Sequence, residues 1–286
     1  MNKRVSFKIW LLILALSPVA DGFAQTSPGG LVFDDEAYRA SPGPDSNLLR
    51  GAALPNAVSL RAHCPTPGDQ GNLATCVGWA LANALTIERA VRSKTTGKAA
   101  IKAMRHSVAF IYNQVKLGDC QAGAKMSDGL KLLMAQGDCL ASEFEPAAGD
   151  CTKKPADNHR RKAARYATRG YERLFDAHAD PNRKIEALCA VLAQKQPVLI
   201  AVTVPADFKY RAVKDLDWRG AGMGHAMVAV GYDLAKKEFE ILNSYGAAWG
   251  EGGFFHLNFY TLAANLRYAY RLVVEDGTAG EAAAKR

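Results

Sequence analysis

Three stretches of this chain carry side chains suited to nucleophilic acyl transfer. The first is Asp69-Gln70-Gly71-Asn72-Leu73-Ala74-Thr75-Cys76-Val77-Gly78-Trp79-Ala80. Val77, Ala80, Leu81, Ala84 and Leu85 form an apolar stripe of helical spacing, which predicts a helix starting at Cys76. A helix N-terminus carries partial positive charge and unpaired N–H groups. Both favour the thiolate, the nucleophilic form of cysteine. Those N–H groups, with the Gln70 amide six residues earlier, can also hold a developing oxyanion.

The second stretch is Gly222-Met223-Gly224-His225-Ala226-Met227-Val228-Ala229-Val230-Gly231-Tyr232. A histidine entering a strand from a glycine-rich turn can take a proton from a thiol and pass it to a leaving amine, while glycine leaves room for a substrate backbone. The third is Ile241-Leu242-Asn243-Ser244-Tyr245-Gly246-Ala247-Ala248-Trp249-Gly250, running on through Glu251-Gly252-Gly253 to Phe254-Phe255. An Asn side chain can set the tautomer and orientation of an imidazole, and Tyr245 and Trp249 can shield that bond from water. Each residue alone has an ordinary explanation: a core cysteine, a satisfied histidine, a turn asparagine.

Together, in the order Gln, Cys, His, Asn, the stretches resemble the papain-like cysteine proteases. Asn-Ser-aromatic-Gly-x-x-Trp-Gly-x-x-Gly followed by aromatics carries the resemblance, with His-Ala-Met-Val-Ala-Val-Gly-Tyr beside it. It extends over residues 54–273. Leu54 to Arg61 is similar to the family's first strand, Asp128 to Gly137 to its third helix, and Lys195-Gln196-Pro197-Val198 to the opening of its barrel half. The resemblance implies an α+β, two-lobed fold. An N-terminal helical lobe and a C-terminal antiparallel β-barrel-like lobe would have the active site between them.

It also implies roles. Cys76 is the nucleophile, His225 the base and then the acid in a thiolate–imidazolium pair, and Asn243 the orienting group. Gln70 and the Cys76 backbone N–H form the oxyanion hole. No cofactor is implied. The substrate is a peptide or protein, with room for a protein inhibitor or assembly partner. The chain departs from the family pattern at Val77 and Gly78, which separate Cys76 from Trp79, at Leu73 in place of a cysteine, and at Tyr245 in place of Trp. Ser127-Asp128-Gly129 is the nearest match to the double-glycine cleft wall, which makes Asp128 and Gly129 substrate-binding candidates. Met223 and Ala226 flank His225 as candidates for an apolar specificity pocket.

The elements that must position these groups can be read along the chain. Further helical stripes run through Val108, Ile111, Tyr112 and Val115, through Leu130, Leu133 and Met134, and through Ile185, Leu188, Cys189 and Leu192 before Pro197. Strand patterns come later: Val198 to Val204, Met227 to Tyr232, Glu238 to Ile241, Phe254 to Phe259. Helices first and strands afterwards argue for α+β rather than alternating α/β.

The chain has 286 residues, 49% hydrophobic and 22% charged, which excludes a disordered or fibrous protein. Lys3, Arg4 and Lys8, the apolar run Ile9 to Leu16 and Gly22-Phe23-Ala24 read as a signal peptide over residues 1–24. The run is shorter than a spanning helix needs, so no membrane span is expected after cleavage. The expected location is exported, periplasmic or secreted. Residues 25–53 read as an extended leader too short for the family's usual inhibitory prodomain, so the enzyme is made active or something else restrains it. Residues 54–275 read as the peptidase domain and 276–286 as a flexible tail.

Six cysteines follow the signal segment, and an oxidising compartment permits disulfides. Cys139 and Cys151 flank a loop and are the first bridge candidates, Cys64 and Cys120 the second, with Cys189 a buried thiol. His63, His106, His159, His178 and His256 show no metal-ligand spacing, so no metal is expected. Neither His-Glu-x-x-His nor Gly-x-Ser-x-Gly occurs, which removes zinc proteases and serine hydrolases. The net charge of +8 and the cluster Arg160-Arg161-Lys162 do not make a nucleic-acid footprint. An exported peptidase is therefore the leading expectation. A Cys–His amidase or peptidoglycan-acting peptidase and an inactive papain-like binding module are its rivals.

Overall fold

A computed structural model describes residues 29–44, 54–147, 149–220 and 222–274. The predicted signal peptide and tail lie outside them. Chain order is α1 (Asp35–Ala40), β1 (Ala57–Ser59), α2 (Cys76–Arg92), α3 (Lys98–Ala103), α4 (Val108–Val115), α5 (Met126–Gln136), α6 (Asp157–Ala163), β2 (Gly170–Arg173), α7 (Pro181–Ala193), β3 (Val198–Pro205), β4 (Gly222–Asp233), β5 (Glu238–Leu242), β6 (Phe254–Asn258), α8 (Phe259–Asn265) and β7 (Leu266–Val273). The arrangement is the expected α+β one.

The helical lobe is built round α2. Its stripe is fully buried, with Val77, Leu81, Ala84 and Ile87 closed to solvent. Helices α4 and α5 pack on one side of it and strand β4 on the other. Gly129 lies in the body of α5, where a Cβ would stand 2.2 Å from Leu81 Cδ1. It lets two helices meet closely, so Gly129 is a packing residue and not part of a cleft wall. Asp128 belongs to the first turn of the same helix. Gly129 thus packs against α2, while Asp128 is half-buried at the start of α5.

The other lobe is an antiparallel sheet in the order β2-β7-β3-β4-β5-β6, with β1 also pairing β4. Its outer strands β2 and β6 are not paired to each other, so the barrel-like closure that was expected is absent and the sheet stays open. Helices α7 and α8 pack on it and on each other. Strands β2 and β7 escaped the sequence reading. β7 hides its apolar and aromatic residues between exposed Arg267 and half-buried Arg271, too irregularly for clean alternation. The leader also differs from an unstructured segment: Asp34 caps α1 by accepting from the Ala37 N–H at 3.0 Å.

The disulfide joins Cys120 to Cys151, not Cys139 to Cys151. Cys139 is a buried free thiol in a small separate cluster with Phe110, Phe144 and Ala163. Asn113, near the end of α4, donates to the Asp150 and Lys153 carbonyls, which draws that loop to the chain leaving α4, where Cys120 stands. Cys64 and Cys189 are also free and buried. Peptide mapping without reduction should therefore yield one linked pair, Cys120 with Cys151, and Cys139 should alkylate only after denaturation. Recovery of a Cys139–Cys151 peptide would contradict this pairing.

Candidate active site

Cys76 is the first residue of α2, and the preceding Thr75 makes no side-chain cap. The first-turn N–H groups are thus not taken up by a capping side chain. The thiol is fully buried, and backbone groups of Ala226, Val77 and Cys76 itself hydrogen-bond it. Ala226 directly follows His225, so the nucleophile candidate lies against the start of β4, where His225 is in register with Val202 of β3.

The imidazole's protonation pattern follows from its neighbours. His225 Nε2 lies 2.8 Å from Asn243 Oδ1, and the Ser244 backbone N–H donates to that same atom at 2.8 Å. A backbone N–H can only donate, so the shared atom is an oxygen acceptor and Nε2 carries the proton. Nδ1 is then the basic nitrogen, buried and without a hydrogen-bond partner among the described residues. Tyr245 stacks on the ring at 5.0 Å and 23°. Phe208, which the sequence reading missed, stands at the centre of an aromatic box. Its ring is 5.9 Å from His225, 5.8 Å from Tyr245 and 5.3 Å from Trp249.

Gln70 is anchored to the same asparagine loop. Its N–H donates to the Ser244 carbonyl at 2.8 Å, its Oε1 accepts from the Ser244 hydroxyl at 2.6 Å, and its Nε2 donates to the Leu73 carbonyl at 2.8 Å. Gly246 N–H donates to Gly68 at 2.9 Å, which adds a further link between the two loops. Trp79 packs its ring over Gly68 and so supports the Gln70 turn from behind. Ser244 was visible in the motif but not as a link between two groups.

The cleft between the lobes is not open. Residues 29–33 run through it. Ala124 N–H donates to Gly30 O at 2.8 Å and Val32 N–H to Ala124 O at 3.0 Å, while Gly30 and Leu31 N–H both meet Gly224 O at 3.3 Å. Gly123-Ala124 and Met223-Gly224 therefore flank residues 29–33 from opposite lobes. Met223 lies against Gly29, and Ala226 is buried beneath, 1% exposed. With the cleft covered, burial pushes the Cys76 thiol up to about 12, partly offset by its backbone hydrogen bonds. Burial likewise pushes His225 down to about 4, partly offset by Asn243. Both shifts favour the neutral thiol and the neutral imidazole in this covered site. Elsewhere, no group of three or more His, Cys, Asp or Glu among the described residues could hold a metal ion.

Comparison with known proteins decides the family. The model of the papain family cysteine proteases matches residues 54–265. The chain belongs to that family. A viral cathepsin of the Cydia pomonella granulosis virus is 27% identical over 72% of this chain and 58% of its own length. Cysteine endopeptidase Rep1 of Oryza sativa is 26% identical over 71% of this chain and 53% of its own. The chain thus spans little more than half the length of these relatives. Xylellain, a cysteine protease from Xylella fastidiosa, superposes with a TM-score of 0.67 at 26% identity, covering 88% of this chain and 98% of its own. In this chain Ser244 links Gln70 to Asn243, and the Cys76 thiol lies against Ala226, the residue after His225.

The imidazole gives a direct test. An unfolded histidine titrates near 6.5 and the covered His225 near 4, so the unfolded chain binds the extra proton first. This contribution to stability is present above about pH 6.5 and is lost as pH falls towards 4. NMR of histidine-labelled protein should show the His225 ring titrating with a midpoint below 5, and a midpoint near 6.5 would contradict a sealed site.

Proposed function

We propose that this protein is an exported cysteine peptidase that hydrolyses peptide bonds through a thioester. The observation that carries the reading is the shared Asn243 oxygen, which fixes the His225 tautomer with a basic Nδ1 beside the Cys76 helix start. The Cys76 proton passes to Nδ1 as sulfur bonds to the scissile carbonyl carbon. The oxyanion that forms takes hydrogen bonds from the Gln70 amide and the Cys76 N–H. The C–N bond then breaks, the amine leaves with the proton from Nδ1, and an acyl thioester remains. Water attacks the thioester while Nδ1 takes its proton, which releases the acid and restores the thiol. Tyr245, Trp249 and Phe208 keep bulk water from the His225–Asn243 bond.

The disulfide and the character of residues 1–24 support export, since disulfides persist in oxidising compartments. No helix among the described residues is long and apolar enough to cross a membrane. Met223, at the cleft edge, favours an apolar substrate side chain. The substrate class is a peptide or protein.

Cys76→Ala should abolish peptide turnover, and Gln70→Ala should lower kcat by roughly 10²–10³, the usual loss for one oxyanion donor. Full activity in either variant would refute that residue's role. An epoxide inhibitor of thiol proteases should add once to the intact protein and not to Cys76→Ala.

A further inference from the structure

Lys209 brings a positive charge to the seam between the lobes. It follows Phe208 in the loop after β3, and its main-chain carbonyl accepts from Trp249 Nε1 at 3.1 Å. That bond holds the Lys209 backbone whatever side chain it carries. The ammonium reaches across to the helical lobe and donates to the Gly71 carbonyl at 2.7 Å. It also stands 5.5 Å from the centre of the Tyr245 ring, the ring that stacks on His225. The loops it spans are themselves paired, with Asp69 bridging to Tyr245 and the Gly246 N–H donating to Gly68 O. Lys209 is half-buried. At Gly71, where φ is +60°, a Cβ would meet no atom within 4 Å, so the space beside the ammonium's anchor is open. The Gly71 carbonyl is neutral, so this bond positions the ammonium without cancelling its charge. The neighbouring carboxylates have other partners: Asp69 Oδ1 accepts from the Gly71 N–H at 2.8 Å, and Asp207 pairs with Arg211 at 3.1 Å.

We infer that Lys209 selects substrates by a carboxylate on the half that leaves as the amine. This rests on the reading of Cys76 and His225 as the peptidase pair. The acyl half of a substrate would use the main-chain groups of Ala124 and Gly224, which residues 29–33 take up here. The amine half departs by way of His225, which hands it the proton, so it lies toward Tyr245 and Gly71, where the ammonium stands. A lysine ammonium is a compact charge on a flexible stem with three donor hydrogens, so a carboxylate can join or replace its present partners. An acidic side chain and the terminal carboxylate of a short leaving piece offer it the same group. A leaving piece that carries lysine or arginine meets like charge instead, which the site disfavours.

The experiment is kcat/KM of the whole chain on internally quenched peptides that share one acyl half. One series carries Glu, Gln or Lys in the leaving half and an amidated end. A second carries Gln there and ends in a free acid or an amide. In at least one series the wild type should favour the carboxylate peptide by about tenfold, mainly through KM, the scale of one charge-assisted hydrogen bond. A preference in the first series assigns the carboxylate to a side chain, and one in the second assigns it to the chain end. Added salt should shrink the preference. Lys209→Gln keeps a donor for the Gly71 carbonyl and loses the charge, and it should remove the preference. Lys209→Glu should turn the first series toward the Lys peptide. Equal rates on all peptides by the wild type, or a preference unmoved in both variants, would overturn the role of Lys209 and leave the peptidase standing. Turnover of no peptide by the wild type would overturn the peptidase reading, and the role of Lys209 with it.

Discussion

One serine joins the two halves of the site. Ser244 gives its hydroxyl to the Gln70 side chain, its carbonyl to the Gln70 N–H, and its own N–H to the Asn243 side chain. The group read as the oxyanion donor and the group that orients the base are thereby referred to one residue, although they lie in different lobes. Hydrogen bonds in a dry interior are strong and directional, and leaving one unmade is expensive. The loops at 68–70 and 243–246 are therefore held as one unit, and α2 and β4 are brought together beside it.

That unit works only in a dry setting, and dryness has a consequence. A buried thiol and a buried imidazole both favour their neutral forms, because neither ion is solvated. In this conformation burial favours the neutral thiol and imidazole, and the Asn243 oxygen places the imidazole proton on Nε2. Phe208, Tyr245 and Trp249 pack on one another beside the imidazole.

The departures from the family pattern fit this arrangement. Val77 is fully buried and Gly78 allows α4 to approach α2, so the helix packs tightly without an aromatic next to the cysteine. Trp79 supports the Gly68–Gln70 turn. The Cys120–Cys151 bridge fixes the segment that leads into Gly123-Ala124, and Asn113 holds the far side of the same loop.

The periodicity of α2, α4, α5 and α7 and the apolar runs of β3, β4 and β5 were legible because burial imposes a period on a single segment. Gln70, Cys76, His225 and Asn243 were legible because short motifs surround them. What the residues could not announce was pairing between distant segments. Cys139 looked the best partner for Cys151 and Cys120 was set with Cys64, since spacing along the chain says nothing of distance across a fold. Gly129 read as a wall and proved to be a helix contact, because a glycine's use depends on what approaches it. The leader showed no period, yet Tyr38 and Asp35 anchor it, because their partners on β7 lie more than two hundred residues away. The chemistry is local and was written in residue types. Whether that chemistry is exposed or covered was decided only by tertiary contacts, because burial is a property of what packs against a residue.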